Sequence, residues 1–232
     1  MTEFGRSAHE QREFERVRYP GTDVLKNKFG LRNADDLERA ELLFVADRLL
    51  DGLPADARRL DQTGLKAIHH HMFQDIYPWA GQYRTYTTGR GPAPFARPEF
   101  IEPELDRLFD ALHGEKCLIG LGIEQFASRG AHYVNEINAI HPFIEGNGRA
   151  QRVWLRNLAD HTGYRVRFDG HDRKNWNEAS KRGFHGDNQP MADLIMRSIE
   201  PRSREQCREL FKQMRRERDA ERARRRDKGH ER

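Results

Sequence analysis

Residues 141–152 read His-Pro-Phe-Ile-Glu-Gly-Asn-Gly-Arg-Ala-Gln-Arg, and this stretch decides how the rest of the chain is interpreted. Its Gly-Asn-Gly turn leads directly into a helical pattern, where unpaired backbone N–H groups meet the positive end of a helix dipole. Glycine lets a phosphate approach the backbone closely, and asparagine tolerates the left-handed region better than most residues. The turn Gly146, Asn147 and Gly148 is therefore predicted to bind an anion at the start of a helix.

The side chains around this turn add the groups that a phosphate site needs. Arg149 and Arg152 are three residues apart, so they lie on neighbouring positions of the first helical turns and present two fork-shaped cations. Glu145 is a hard carboxylate that could hold Mg²⁺ against phosphate oxygens. His141, with an ordinary pKa of about 6.5, could take a proton from an incoming hydroxyl. A base, a metal ligand and a phosphate cradle are thus predicted within one short segment.

Pro142 and Phe143 are predicted to be structural, with the phenylalanine ring packed inward to fix the turn. Each feature taken alone also has a plain interpretation. A single histidine beside Pro-Phe is usually a packed histidine, and Gly-Asn-Gly is more often only a turn. The functional interpretation depends on their occurring together.

Length and composition exclude several classes of protein. The 232 residues suffice for one domain of ordinary size and leave room for an appendage. The longest apolar run, Leu42 to Ala46, is far shorter than the roughly 20 residues of a membrane helix, so no membrane span is predicted. The amino terminus has no apolar stretch typical of a signal peptide. Two widely separated cysteines argue against a disulfide framework, and a reducing cytoplasm is the expected compartment.

Charge divides the chain into a body and a tail. The net charge is +4, but residues 201–232 alone hold 13 basic and 7 acidic residues, so the basic excess lies in the tail. We predict a charged C-terminal helix or linker for residues 201–232.

Hydrophobic periodicity predicts a mainly α fold with about seven helices. They are expected at about 37–52, 63–74, 102–113, 123–138, 147–162, 172–184 and 191–199. Between Gly81 and Pro98, β-prone tyrosines and threonines are followed by a Gly- and Pro-rich run, which predicts a short hairpin or ordered loop. A β-like excursion in a helical domain is a candidate functional loop.

The 141–152 stretch matches the signature His-x-Phe-x-(Asp/Glu)-Gly-Asn-Gly-Arg-x-x-Arg of the Fic family position by position. Residues 77–84, Tyr-Pro-Trp-Ala-Gly-Gln-Tyr-Arg, resemble the Trp-Ala-Gly stretch that precedes the family's flap. The resemblance covers about residues 20–200 and implies a Fic domain there, a helical bundle of about seven helices with a small β-hairpin flap. It also implies a protein adenylyltransferase, which moves AMP from ATP to a Tyr, Ser or Thr hydroxyl of a target protein and releases pyrophosphate.

The resemblance implies a role for each signature residue. His141 would deprotonate the target hydroxyl and Glu145 would bind Mg²⁺. The turn Gly146, Asn147 and Gly148 would hold the α- and β-phosphates. Arg149 would help to position the phosphates, and Arg152 would pair with the γ-phosphate.

The flap, about Thr87 to Arg97, is expected to pair with an extended target segment through its backbone, beginning at Thr87 and Thr88. Phe95 within it would clamp the target residue. Asn175, Trp176 and Asn177 would line the adenine end of the nucleotide. A core tryptophan with solvated asparagine neighbours is an equally open interpretation of that triplet.

Many Fic proteins restrain themselves with an inhibitory helix that carries (Ser/Thr)-x-x-x-Glu-(Gly/Asn), and no Ser or Thr of this chain begins that motif. The resemblance therefore implies a separate antitoxin that brings such a helix beside Arg152, which would make this chain a toxin in the bacterial cytoplasm. The alternative is an effector translocated into another cell, where it would modify host small GTPases.

Two further features suggest other functions. The run His69 to His71 raises the question of a metal site, but successive helical side chains point about 100° apart, which favours a solvated or partly packed stretch. The Arg-rich stretch Arg215 to Arg226 raises the question of nucleic-acid binding, yet acidic residues interrupt it. An exposed helix of mixed charge is therefore favoured, and a nucleic-acid partner is not expected. A nucleotide sensor without transfer activity is the third alternative.

Overall fold

The computed structural model describes residues 3–168 and 172–200, together with positions 212 and 216. The predicted C-terminal helix or linker at 201–232 lies outside the described residues, apart from those two positions. Within the described part, the eight α-helices are α1 Ala8–Arg16, α2 Ala34–Leu50, α3 Gln62–Phe73, α4 Pro98–Gly114, α5 Ile123–Ile140, α6 Asn147–Thr162, α7 Asp172–Phe184 and α8 Gln189–Ser198. None of these helices is long and apolar enough to cross a membrane.

The predicted mainly α fold is confirmed, and the seven expected helices correspond to α2–α8. Helix α1 was not predicted, because it buries no residue and so shows no apolar stripe. It begins instead at a capping box, in which Ser7 and Glu10 satisfy each other's backbone N–H groups. Helix α4 begins four residues earlier than expected, at Pro98, since proline suits the first turn of a helix.

Among the described residues, four short strands form two antiparallel pairs. Strands β1 (Gly89–Arg90) and β2 (Ala93–Pro94) form the predicted hairpin, with Gly89 opposite Pro94 and Arg90 opposite Ala93. Strands β3 (Arg165–Val166) and β4 (Ile199–Glu200) connect the chain after α6 to the end of α8, and this pair was not predicted.

Helices α5 and α6 form the centre of the bundle. Helix α5 packs against α4, α6, α7 and α8, while α6 packs against α3 and α5. Their inward faces carry fully buried side chains such as Phe126, Val134, Trp154 and Leu155. The signature runs from the carboxyl end of α5 to the amino end of α6, so the core of the bundle fixes both of its ends.

Arg84 connects the end of α5 to the base of the hairpin. Its side chain is 2% exposed, and its Nε donates to the carbonyl of His141 at 2.7 Å. The two Nη groups donate to the carbonyls of Ile140, Tyr86 and Ala96. Burial lowers the pKa of Arg84 to about 10, which leaves the guanidinium charged at neutral pH. One cation therefore holds the end of α5 and both ends of the hairpin segment together.

Candidate active site

Two left-handed residues shape the signature turn. His141 is the C-cap of α5 at φ 50° and ψ 62°, and Gly146 is the N-cap of α6 at φ 79°. A Cβ atom at Gly146 would lie 2.4 Å from the ring of Phe73, so both the conformation and the space require glycine. The turn therefore directs the first N–H groups of α6 toward the space beside His141.

Asn147 stabilises this turn from within. Its Oδ1 accepts from the N–H of Phe143 at 2.9 Å, and its Nδ2 donates to the carbonyl of Phe143 at 2.9 Å. The Phe143 ring is buried, as predicted for a structural residue. Because the Asn147 side chain is occupied in this way, the group that Asn147 can offer to a phosphate is its backbone N–H rather than its amide.

His69 supports the turn from behind, a role that the sequence analysis did not assign to it. His69 is fully buried, and its ring stacks on Phe143 with centroids 3.9 Å apart. Its Nδ1 accepts from the N–H of Gly81 at 2.9 Å, so the proton resides on Nε2, which donates to the carbonyl of Glu145 at 2.9 Å. Burial, together with the nearby Arg149, lowers the pKa of His69 to about 3.

The helical spacing of α3 contains the signal that identifies His69 as buried. His69 lies one turn after Leu65 and one turn before Phe73, both of them core residues. His71 is also buried, with its Nε2 2.7 Å from the carbonyl of Arg48, whereas His70 is exposed. The three neighbours therefore face different directions, and only His69 reaches the signature.

His141 is held by its own helix and by the hairpin. Its Nδ1 lies 3.3 Å from the carbonyl of Asn138, which can only accept, so Nδ1 carries the proton and Nε2 the lone pair. Phe95 stacks on the imidazole at 3.9 Å with the two planes 1° apart. Burial and the nearby Arg84 and Arg90 lower the pKa of His141 to about 3. The imidazole is neutral at neutral pH.

Phe95 has contacts that the sequence analysis did not predict. This side chain is only 6% exposed and lies between His141 and Phe184, whose ring it meets edge-on at 5.3 Å. A ring in that position orients the histidine, and its contact with a target residue stays a prediction.

The first signature arginine is paired with a carboxylate that the sequence analysis missed. Arg149 Nη2 lies 2.5 Å from Glu41 Oε2 and 3.4 Å from Glu145 Oε1. Glu41 comes from α2, is 7% exposed, and accepts a hydrogen bond from the Tyr77 hydroxyl. Burial and the Glu41 carboxylate raise the pKa of Tyr77, so the hydroxyl remains a donor. Tyr77 and Glu41 together fix the direction of Arg149.

Two adjoining cavities open on the signature. The outer cavity has a volume of about 560 Å³ and lies between the first turns of α6 and helix α2. Its wall includes Gly146, Gly148, Arg149, Arg152, Leu37, Glu38, Glu41 and Arg173. The inner cavity of about 180 Å³ is lined by Arg90, Asn138, His141, Gln151, Trp176 and Ser180. Glu145, Gly148 and Asn177 line both cavities, so the two form one continuous site.

Several buried polar atoms face the inner cavity without a hydrogen-bond partner among the described residues. They are both amide atoms of Gln151, the Ser180 hydroxyl, the Trp176 Nε1 and one Nη of Arg90. Gln151 and Trp176 are each 1% exposed, so their polar atoms are shielded from hydrogen bonding with bulk water. Buried polar groups in folded proteins are almost always satisfied, so these side chains are candidates to bind a polar ligand or water.

The remaining predicted site residues are placed as follows. The Arg152 guanidinium lies 5.5 Å from the Trp176 ring centroid and lines the outer cavity. Trp176 and Asn177 line the site, whereas Asn175 is exposed and lines neither cavity. Pro142 is buried, and its carbonyl accepts from the N–H of Arg84.

Thr87 cannot be the docking residue that the sequence analysis expected. It is 3% exposed, and its N–H and hydroxyl donate to Glu10 at 2.9 and 2.6 Å. Its carbonyl accepts from Arg6 Nε at 2.6 Å. The carbonyl of Thr88 accepts from Phe95 within the hairpin, so neither threonine presents these groups to a target.

Comparisons with known proteins agree on one family. The model of the Fic/DOC family matches residues 59–159. The probable protein adenylyltransferase y4lH of Sinorhizobium fredii is 41% identical over 182 residues, which cover 78% of this chain and 94% of that protein. The probable protein adenylyltransferase Fic of Escherichia coli is 37% identical over 177 residues, which cover 73% of this chain and 84% of that protein.

A solved structure has the same fold. It is BepC, a VirB-translocated Bartonella effector protein from Bartonella tribocorum, with bound AMPPNP. It aligns with a TM-score of 0.73 at 27% identity and covers 81% of this chain and 98% of its own.

We expect the buried His69 to make stability depend on pH. The unfolded imidazole titrates near pH 6.5, whereas the folded one stays neutral to about pH 3, so stability is lost as pH falls through that window. One proton that binds the unfolded but not the folded state changes the free energy of unfolding by about 1.4 kcal/mol per pH unit. His69→Phe removes this contribution, so the difference in unfolding free energy between wild type and variant should shrink as pH is lowered.

Urea unfolding at about pH 7, 6 and 5 measures this difference. His9→Phe, at an exposed position of α1, serves as the control and should keep the wild-type slope. A difference between wild type and His69→Phe that does not change with pH would contradict the assignment of a neutral His69.

Proposed function

This chain belongs to the Fic/DOC family, and on that premise we propose that it is a protein adenylyltransferase that moves AMP from ATP to a Tyr, Ser or Thr hydroxyl of a target protein. The observation that carries the proposal is the continuous site formed by the two cavities. His141 lies in the inner cavity, Arg149 and Arg152 line the outer one, and Glu145 and Gly148 line both. A base, a phosphate cradle and space for a nucleotide thus meet at one place.

The triphosphate occupies the outer cavity in this proposal. The N–H groups at the start of α6 and the helix dipole attract anionic oxygens, and Arg149 and Arg152 supply two cations. Gly148 leaves room beside the backbone, since the nearest side-chain atom to a Cβ built there, Trp176 Nε1, is 3.7 Å away. Arg149 is already oriented by Glu41. Arg152, one helical turn further on, reaches the terminal phosphate.

The nucleoside end occupies the inner cavity. Its unpartnered groups include the Gln151 amide, which can both donate and accept, and the Ser180 hydroxyl. Ribose hydroxyls and the edge of adenine offer complementary donors and acceptors. This placement gives the α-phosphate a position between the cavities, next to His141 and Glu145.

The residues present fit one Mg²⁺ ion held mainly by the nucleotide. Glu145 stands where the cavities join, with its side chain half exposed and its Oε1 accepting from the N–H of Gly146 at 2.8 Å. The described residues contain no cluster of three or more His, Cys, Asp or Glu that could hold a metal. Mg²⁺ bound to phosphates needs only one or two carboxylates, so Glu145 would hold it. The ion supplies charge neutralisation on the phosphates when bound.

His141 acts as the general base. Its Nε2 lone pair takes the proton of the target hydroxyl, the hydroxyl oxygen forms a bond to the α-phosphorus, and the bond from that phosphorus to the β-phosphate oxygen breaks to release pyrophosphate. The bond from Nδ1 to Asn138 and the stacked Phe95 ring hold the imidazole in place. The phosphates of ATP raise the pKa of His141 from its low value in the free protein, which strengthens the base when substrate is present.

Labelled ATP tests the reaction. Incubated with Mg²⁺ and cell lysate, the protein should transfer label from the α-phosphate to protein and none from the γ-phosphate. His141→Ala should reduce this transfer by about 100-fold or more, since a general base contributes about that factor. Gel autoradiography provides the measurement, and His132→Ala, on the same helix, is the matched control.

Each alternative predicts a different outcome. Transfer of γ-label would indicate a kinase, and transfer of neither label would leave a nucleotide sensor or binding module. Full α-label transfer by His141→Ala would contradict the proposed base.

A second experiment tests the division of the nucleotide between the cavities. Gln151→Leu keeps the size of the side chain but removes its hydrogen-bonding groups, so the Kd for ATP should rise about tenfold. The affinity for tripolyphosphate, which lacks the nucleoside, should stay unchanged. Titration calorimetry measures both, with Gln189→Leu at an exposed position of α8 as the control. An unchanged ATP affinity would place the nucleoside elsewhere.

We further propose that the protein is a toxin of the bacterial cytoplasm that is restrained by a separate antitoxin. The outer cavity lies open beside Arg152, and α2 presents Leu42 and Leu43 at 53% and 72% exposure along its side. A helix with the (Ser/Thr)-x-x-x-Glu-(Gly/Asn) motif could pack on these leucines and place its glutamate near Arg152. The similarity to a translocated Bartonella effector favours one second candidate, an effector that modifies host small GTPases.

Expression alone should therefore arrest bacterial growth, because unrestrained AMP transfer would modify essential proteins. His141→Ala should relieve the arrest, and so should coexpression of a short neighbouring reading frame that encodes the motif. Growth curves measure the effect. The absence of both toxicity and such a reading frame would reject the toxin, and α-labelled GTPases in a host-cell lysate would favour the effector.

A further inference from the structure

The amino-terminal segment of the described chain contacts the hairpin, and the proposed mechanism makes no use of it. We call residues 4–18 the brace; it contains α1 and its flanks. No residue of α1 is fully buried, although Phe14 packs against the core and Val17, just after the helix, belongs to it. The polar contacts of the brace reach mainly residues 85–87, the segment that leads into β1.

Thr87 is the centre of this contact. Glu10 Oε1 accepts from both its N–H and its hydroxyl, and Arg6 Nε donates to its carbonyl. All the polar groups of Thr87 are therefore bound by two residues more than 75 positions away in the chain.

Neighbouring contacts extend the brace along the segment that leads into β1. Thr85 Oγ1 donates to Glu13 at 3.1 Å, and Arg18 Nη1 donates to the Tyr86 hydroxyl at 3.2 Å. The Tyr86 ring meets Phe14 edge-on with centroids 5.2 Å apart. A Cβ atom at Gly89 would lie 2.6 Å from the Phe4 ring, so Phe4 covers one face of β1.

The two central residues of the brace are themselves fixed. The Arg6 guanidinium is 3.9 Å from the Phe14 ring centroid, and Arg6 is 7% exposed. Glu10 uses its second oxygen to accept from the N–H of Ser7, which closes the capping box. Although burial opposes ionisation, the hydrogen bonds from Thr87 and Ser7 lower the pKa of Glu10 to about 2. The carboxylate is therefore charged at any working pH.

The brace ends where the open edge of the hairpin begins. The N–H of Phe95 donates to the carbonyl of Thr88, and Arg90 is opposite Ala93. In an antiparallel pair, residues that bond the partner strand alternate with residues that face away from it. The N–H and carbonyl of Gly89, which lies between Thr88 and Arg90, therefore point outward. Thr87, the preceding outward position, is already bound by the brace. On β2 the outward position opposite Gly89 is Pro94, which has no N–H. The edge suited to an added strand is thus β1 at Gly89.

We propose that Arg6 and Glu10 are positioning residues for the protein target: they hold the β1 edge at Thr87, so that a target strand pairs from Gly89 onward in one register. This inference rests on the proposed AMP transfer to a protein. It assigns the target-binding edge of the hairpin and gives the brace a role in placing the hydroxyl beside His141.

Glu10→Ala in the full chain tests the inference. Hydrogen exchange at residues 85–95 should become faster, the Kd for ATP should stay within about twofold, and α-label transfer to lysate proteins should fall about tenfold or more, because a small displacement of a reacting group costs that much. Glu10→Gln keeps an acceptor oxygen for Thr87 and should retain most of the transfer. A role limited to stability would not separate transfer from ATP affinity in this way.

Two controls are matched to the variant. Ser7→Ala weakens the cap of α1 without touching Thr87, and Glu15→Ala removes a carboxylate of α1 that bonds only Gln11 among the described hydrogen bonds. Both should transfer like the wild type.

Unchanged exchange or unchanged transfer in Glu10→Ala would overturn the inference. A rise in transfer would also overturn it, since the brace would then be blocking the edge. If the wild type transfers no α-label at all, the proposed function fails, while hydrogen exchange still reports whether the brace holds the hairpin.

Discussion

The site depends on one buried cation. The Arg84 guanidinium is 2% exposed and binds carbonyl groups rather than a carboxylate. A buried charge without a counter-ion is tolerated only when its donors are satisfied, and the rigid fork of arginine can reach several carbonyls at once, which lysine cannot. The carbonyls of Ile140 and His141 lie at the negative end of α5, so the cation also suits the helix dipole. The base and the hairpin consequently share one fixed support.

The signature turn is stabilised in a similar way, by groups outside the site. His69 binds the carbonyl of Glu145, and Tyr77 and Glu41 orient Arg149. None of these residues adjoins the signature in the chain. The groups that would contact nucleotide are therefore already arranged before it binds, which reduces the entropy lost on binding. The exception is the set of buried polar atoms around Gln151, which have no hydrogen-bond partner among the described residues.

Local patterns in the sequence predicted the local features. The apolar stripes of α2–α8, the breakers of the hairpin and the Gly-Asn-Gly turn each lie within a few residues, so they could be recognised directly. Contacts between distant segments could not be recognised in this way. His69 and Glu145 are 76 positions apart, and Thr87 and Glu10 are 77 apart, so their pairing depends on how the helices pack. Phe95 and Thr87 were assigned to target docking for the same reason: their partners were not visible in the sequence.

Pro94 also bears on how the protein behaves in a concentrated solution. Exposed strand edges are templates on which further chains can pair and aggregate, and proteins commonly protect them with proline or with a covering segment. Here the brace covers the edge up to Thr87, and Pro94 removes a donor from the opposite edge. The hairpin thus offers one edge to an added strand, while the proline removes a donor that a larger sheet would need on the other edge. In the proposed role, a protein that pairs with extended segments of other proteins is thereby protected from polymerising through the same hairpin.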